Sequence, residues 1–201
     1  MTDIVRLDQD ITLAINGLHT QFTDLFWQTF SDKHVWYPLY LIIAVLLVWK
    51  AGWKKGLVYI LSIVLCLVAC DQFSNLIKHY VCRPRPCHEP YMLDRGLRLL
   101  EDAGGMFGFF SSHAANALGF AVCASQGMAA CTDKGWKWFP WVMYVWAVLV
   151  SASRIFVGKH YLGDVLVGIL VGLVLGFVFI SLAHFACSRL KEKPQEEAID
   201  R

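Results

Sequence analysis

The sequence predicts an all-α integral membrane bundle of five transmembrane helices, preceded by interfacial helices at the N-terminus. Three observations predict it. Of the 201 residues, 57% are hydrophobic and 17% charged, whereas about a quarter of an ordinary soluble domain is charged. Several runs approach the roughly 20 mostly apolar residues that carry a helix across a bilayer. Basic residues also gather on alternate connections between those runs, as they do when a chain weaves through a membrane.

The elements follow in order. From Ile4 to Leu18, apolar residues recur at Ile4, Leu7, Ile11, Ala14, Ile15 and Leu18. That is helical spacing, and it leaves Asp8 and Asp10 off the stripe. Leu25 to Phe30 reads as a second short apolar helix. Neither is long and apolar enough to span, so residues 1–33 are expected to lie along the membrane surface. Packing of the first helix inside the bundle is the alternative. The start of the chain, with Asp3, Arg6, Asp8 and Asp10, lacks the positive region and continuous apolar core of a cleavable signal peptide. The first spanning helix is therefore expected to do the targeting.

Residues 34–188 hold the spanning candidates: Val35 to Trp49, Leu57 to Tyr80, Ser111 to Ala130, Trp138 to Phe156 and Leu162 to Ser188. Trp36, Tyr37, Trp49, Trp136 and Trp138 stand at their ends, where amphipathic rings anchor at the interface. Residues 189–201 form a charged tail with Pro194, expected to be cytoplasmic and disordered.

Five crossings place Lys50, Lys54 and Lys55, then Lys134 and Lys137, then Arg189, Lys191 and Lys193 on one side. The positive-inside rule makes that side cytoplasmic. The N-terminus and the loop from Val81 to Phe110 then face outward. That loop carries Arg83, Arg85, Arg95 and Arg98. Arginines on the wrong side of the rule need a reason, and a phosphate site would be one. No Arg-rich stripe of the kind nucleic acid demands is present, so no nucleic-acid partner is expected.

Seven cysteines form no pair of Cys-x-x-Cys units, which argues against a structural zinc site. Cys82 and Cys87 bracket Arg83-Pro84-Arg85-Pro86. A disulfide there needs a turn that brings the Cα atoms within about 7 Å, so a bridge and two free thiols remain equal alternatives. Asp71, Asn75 and Lys78 share one face of the second span. A carboxylate inside a spanning helix is costly; positioning Lys78 or Arg154 and a purely structural hydrogen bond are its two readings. The glycine-rich stretch from His88 to Gly108 is expected to be a mobile access element, with an ordered plug as the alternative.

Three clusters fall where helices meet the outer surface: Lys78 with Arg85-Pro86, Phe110-Ser111-Ser112-His113, and Ser153-Arg154 with His160 and Asp164. A phosphoryl group in transit spreads charge over three oxygens, so its catalysis is mainly positioning and charge neutralisation. Lys78, Arg85 and Arg154 supply three cations, the arginines with planar forks. Ser111 and Ser112 open a helix whose free N–H groups favour anions. His160 and Asp164 are four apart and share a helix face. Asp164 can orient one ring nitrogen of His160 and leave the other as a nucleophile. His113 can protonate the leaving oxygen and later activate water. The cations stand in for a metal, so no metal and no cofactor are expected.

Lys-six-Arg-Pro, Ser-x-His and Ser-Arg-five-His-three-Asp, in that order, resemble the type 2 phosphatidic acid phosphatase superfamily over about two thirds of the chain. The middle motif of that family usually reads Pro-Ser-Gly-His; here Phe110 and Ser112 replace the proline and the glycine. The resemblance implies a lipid phosphatase with a phosphohistidine at His160. It further implies a bacterial inner-membrane location with the site on the external or periplasmic face. Among phosphorylated membrane lipids, undecaprenyl diphosphate is favoured, lipid A phosphates come a close second, and phosphatidate and phosphatidylglycerophosphate follow. Vanadium haloperoxidases share the superfamily fold but are soluble. A non-catalytic lipid-binding or transport protein would be expected to lose the nucleophile or acid, whereas His113, His160 and Asp164 are all present.

Overall fold

The structure, a computed structural model, describes residues 3–132 and 136–190. Among these residues the regular structure is helical, with one isolated bridge between Pro84 and Phe107. The helices are α1 (Asp3–Asn16), α2 (Gln21–Ser31), α3 (Tyr37–Val81), α4 (Pro90–Asp94), α5 (Ser112–Ala129), α6 (Phe139–Phe156) and α7 (Leu162–Arg189). Residues 191–201 of the charged tail and Lys134 lie outside the described residues, while Arg189 ends α7.

The first two expected spans appear as one element, α3, of 45 residues. Gly52 breaks it with φ 75° and ψ 161°, a backbone state that a side chain would strain. Just beyond, a Cβ on Gly56 would lie 2.6 Å from the Val48 Cα, so the two halves of α3 pack directly against each other. Lys50, Lys54 and Lys55 surround this break. Three segments are long and apolar enough to cross a membrane: Lys33–Val81, Phe139–Phe156 and Leu162–Arg189. The first has 49 residues, enough for two passes once Gly52 interrupts it.

α5 does not meet that hydropathy standard, for a physical reason. It is the central helix, with 13 of its 18 residues buried. Its neighbours are protein, so small side chains replace large apolar ones. α7 answers with Gly168, Gly172 and Gly176, spaced by four. A Cβ on Gly168 would meet the Ser111 carbonyl at 2.5 Å, and one on Gly172 the Ala115 carbonyl at 2.3 Å. Small residues at this spacing let helix backbones approach closely inside a membrane. Gly172→Val is expected to destabilise the protein by about 1–3 kcal/mol through overpacking, read as a lowered thermal midpoint in detergent. Gly105→Val, with nothing within 4 Å of the added carbon, is expected to leave that midpoint unchanged.

α1 presents an inverted face to the bundle. Ile4, Leu7 and Leu18 are exposed, while Gln9, Thr12 and Asn16 are buried. The polar stripe has a structural task. Thr12 Oγ1 accepts the Leu162 N–H at 3.0 Å, and Asp8 Oδ1 accepts the Gly163 N–H at 2.9 Å. These are donors that the start of α7 cannot satisfy itself. Asn16 Nδ2 donates to the carbonyls of Ile155 and Phe156 at the end of α6. α1 is thus a clamp over the α6–α7 turn, with its apolar face turned outward.

The stretch from His88 to Gly108 is tied down, as in the ordered-plug alternative. Asn16 bonds both the N–H and the carbonyl of Arg98, Arg98 pairs with Asp24, and the Leu100 N–H donates to the Val157 carbonyl. Cys82 and Cys87 are not bridged. Cys82 is exposed in the left-handed conformation that ends α3. The buried Cys87 thiol donates to the Ala103 carbonyl at 3.6 Å.

Candidate active site

Four helix ends meet at one end of the bundle. After α3 the chain runs extended through Arg83-Pro84-Arg85, held by two bonds to the opposing segment. The Arg85 N–H donates to the Met106 carbonyl, and the Gly108 N–H to the Arg83 carbonyl, both at 2.9 Å. Ser111 is wholly buried. Its N–H donates to the Asp164 carbonyl at 3.0 Å, and its Oγ accepts the Ala114 N–H at 3.4 Å. Ser111 therefore caps α5 and joins it to α7. At the end of α6, the turn to α7 passes through Gly158 at φ +78°, where a Cβ would meet the Arg98 carbonyl at 2.3 Å. That turn delivers Lys159 and the buried His160.

These elements enclose a cavity of about 830 Å³. Arg85, Ser112, His113, Arg154, Lys159 and His160 line it, and Ser31, Lys33, His34 and Glu101 contribute to its other walls. Five residues singled out from sequence thus share one cavity: Arg85, Ser112, His113, Arg154 and His160. Ser111, Asp164 and Lys78 are not on its lining. Arg85 Nε donates to the Phe107 carbonyl at 3.2 Å, and Arg154 Nη1 to Glu101 at 3.4 Å and to Ser31 Oγ.

Asp164 stands behind His160, with Oδ2 3.5 Å from Nδ1. That is a close approach rather than a formed hydrogen bond, and it leaves Nε2 for the cavity. The carboxylate is itself held by the Tyr161 N–H at 3.2 Å and by Arg83 Nη1 at 2.7 Å. Arg83 reaches Asp8 of α1 with its other nitrogen at 2.6 Å and lies 3.9 Å over the Tyr161 ring. Gly108 leaves this space open. A Cβ there would stand 3.0 Å from Arg85 Cγ, 3.3 Å from Asp164 Oδ2 and 3.5 Å from His160 Nδ1.

Sequence reasoning did not place Lys159, Asp8 or Arg83 in this network. Lys159 carried a usable signal, since it lies inside the Arg-five-His spacer next to the histidine. Asp8 carried none, being an acidic residue on what reads as a surface helix.

Burial, then Arg154, Arg85, Lys78 and Lys159, hold the His160 imidazole well below the ordinary histidine range. It is therefore neutral near pH 7, the form a nucleophile needs. The neutral form is lost only as pH falls through that depressed value. The acid limb of kcat/KM, which reports the free protein, is expected well below pH 6.5. Arg85→Gln is expected to move that limb upward, because one repelling cation is gone. A limb unmoved by Arg85→Gln would contradict this account of the field.

The fold and the cavity define a membrane lipid phosphatase. The chain belongs to the PAP2 superfamily, whose family model matches residues 55–186. It is 33% identical over 187 residues to a lipid A 4'-phosphatase of Bacteroides thetaiotaomicron, covering 92% of this chain and 80% of the relative. It is 27% identical to an undecaprenyl-diphosphatase of Sulfolobus acidocaldarius, covering 89% and 75%. Its fold matches the crystal structure of a transmembrane PAP2-type phosphatidylglycerolphosphate phosphatase from Bacillus subtilis with a TM-score of 0.75 at 22% identity, covering 94% of this chain and 90% of that one. The family resemblance carried by the three motifs holds.

Proposed function

We propose that this protein is a metal-independent lipid phosphatase of five membrane crossings that works through a phosphohistidine at His160. The observation that carries the reading is one cavity wall on which His113 and His160, from different elements, meet Arg85, Arg154 and Lys159. In the first step His160 Nε2 attacks phosphorus, the bond to the leaving oxygen breaks, and His113 gives that oxygen its proton. In the second step water attacks phosphorus, His113 takes a proton from it, and the P–N bond breaks to release phosphate. Arg85, Arg154 and Lys159 neutralise the equatorial oxygens, with Lys78 adding charge from behind and Ser112 standing at the α5 N-terminus.

The external or periplasmic face of a bacterial inner membrane is the proposed side of the site. Lys50, Lys54, Lys55, Lys137 and Arg189 support it, because the helix directions carry them to the opposite end. For the substrate, the similarity to a lipid A 4'-phosphatase over most of the chain supports a lipid A phosphate. This reverses the order read from sequence. Undecaprenyl diphosphate is the second reading, on the similarity to an undecaprenyl-diphosphatase. The test is phosphate release by purified protein from lipid A, undecaprenyl diphosphate and phosphatidylglycerophosphate, with chelator or vanadate added. Release from lipid A that survives chelation and stops with vanadate is expected. A strict requirement restorable by a divalent cation would contradict the mechanism.

A further inference from the structure

A second, smaller cavity of about 230 Å³ adjoins the first, and His113 lines both while His160 lines only the larger. On the mechanism above, phosphorus sits between the two histidines and the leaving oxygen on the His113 side. The smaller cavity is then where the leaving group extends. Its walls combine the rings of Phe30, Trp36 and Tyr40 with polar side chains, and besides the rings those of Asp71 and Asn116 are the ones the larger cavity lacks. Asn116 lies three residues beyond His113, on the same face of α5.

We propose that this pocket is the leaving-group subsite, and that Asp71 and Asn116 select a neutral, hydroxyl-bearing alcohol, the sugar of a phosphorylated glycolipid, over a second phosphate. The inference rests on the phosphatase reading and on His113 as its acid. Two observations carry it. Asp71 lies on α3 among Val68, Phe73 and Leu76, which are exposed where bilayer would be. A carboxylate in such company is costly and marks a function.

The second observation is the hydrogen bonding of the pair. Asn116 Nδ2 donates to Asp71 Oδ1 at 3.0 Å, which uses a donor of the amide. Asn116 Oδ1 remains buried with no partner. The pair therefore offers mostly acceptors, the Asp71 carboxylate and Asn116 Oδ1, beside one remaining amide N–H, and a sugar hydroxyl can donate to them. The aromatic walls cover apolar ring faces, as in a mostly apolar pocket with a few placed polar groups. A diphosphate would instead present a phosphate, rich in acceptors and negative, to the Asp71 carboxylate. Lys33 lines both cavities.

The experiment compares wild type, Asp71→Asn and Asn116→Leu in the full chain on a glycolipid monophosphate, undecaprenyl diphosphate and p-nitrophenyl phosphate. The aryl ester carries no hydroxyl for the subsite. The ratio of kcat/KM for glycolipid to that for aryl ester is expected to fall roughly tenfold to a hundredfold in both variants. The corresponding ratio for the diphosphate should hold or rise. An unchanged glycolipid ratio overturns the proposal. Should the variants not accumulate, wild type decides. Dephosphorylated glycolipid is expected to inhibit aryl ester cleavage at about tenfold lower concentration than undecaprenol, and equal potency overturns the subsite. Wild type that cleaves the aryl ester or the diphosphate but not the glycolipid sinks this inference alone. Wild type that cleaves none of the three sinks the phosphatase reading itself.

Discussion

His160→Ala is expected to lower phosphate release by at least about 10⁴-fold, because removing the proposed nucleophile from a group that acts as a unit forfeits most of the catalysis. His160 is buried, with Asp164 behind its Nδ1 at 3.5 Å and the cavity on its other side. Among the described residues, no other buried histidine lining the cavity has a carboxylate behind it in that way. Asp164→Asn keeps the nucleophile and weakens only its orientation, so weak turnover should survive. Wild-type protein denatured during turnover of a phosphorus-labelled lipid should retain label at His160, and His160→Ala should retain none. Full activity in His160→Ala would falsify the covalent mechanism.

Arg83→Ala has the next largest expected effect, and it falls on a residue that does not line the cavity. Its guanidinium bridges Asp164, whose side chain is wholly buried, and Asp8, whose side chain is 15% exposed. Removing one partner from a buried ion pair strands the other charge at a cost of about 3–5 kcal/mol. Loss of the tether should also let Asp164 and His160 drift. Misplacement by an ångström costs about a hundredfold in rate, so kcat should fall together with the thermal midpoint. Arg83→Lys should not restore either, because an ammonium cannot fork between two carboxylates. Paired with Asp8→Asn, the losses should be less than additive, as expected of groups in one network. An Arg83→Ala protein with wild-type stability and kcat would show that Arg83 is only a surface companion of the site.

Two features show where inference from sequence reached its limit. Arg83 and Arg85 are equivalent by local chemistry, two arginines each followed by proline. The motif spacing favours Arg85, but only the bonds from Arg85 to Met106 and from Gly108 to Arg83 show that Arg83 goes to Asp164 while Arg85 goes to the cavity. Ser111 and Ser112 are equally adjacent. The helix start that encloses Ser111 as a cap and turns Ser112 to the cavity is set by how α5 seats on α7.

The sequence by itself determined the helical membrane architecture, because length and apolar content are one-dimensional properties that a bilayer reads directly. It also determined the family and the phosphatase class, since two histidines, paired cations and a carboxylate at motif spacing keep their character wherever they fold. The tertiary structure alone decided what holds that chemistry in place. The Arg83–Asp164 contact spans 81 residues of chain, and the Asp8–Gly163 contact spans 155. No local periodicity reports such pairings. The second arises because the polar face of α1 satisfies donors that the start of α7 cannot satisfy within its own turn, and the first because the segment after α3 is pinned beside that same turn.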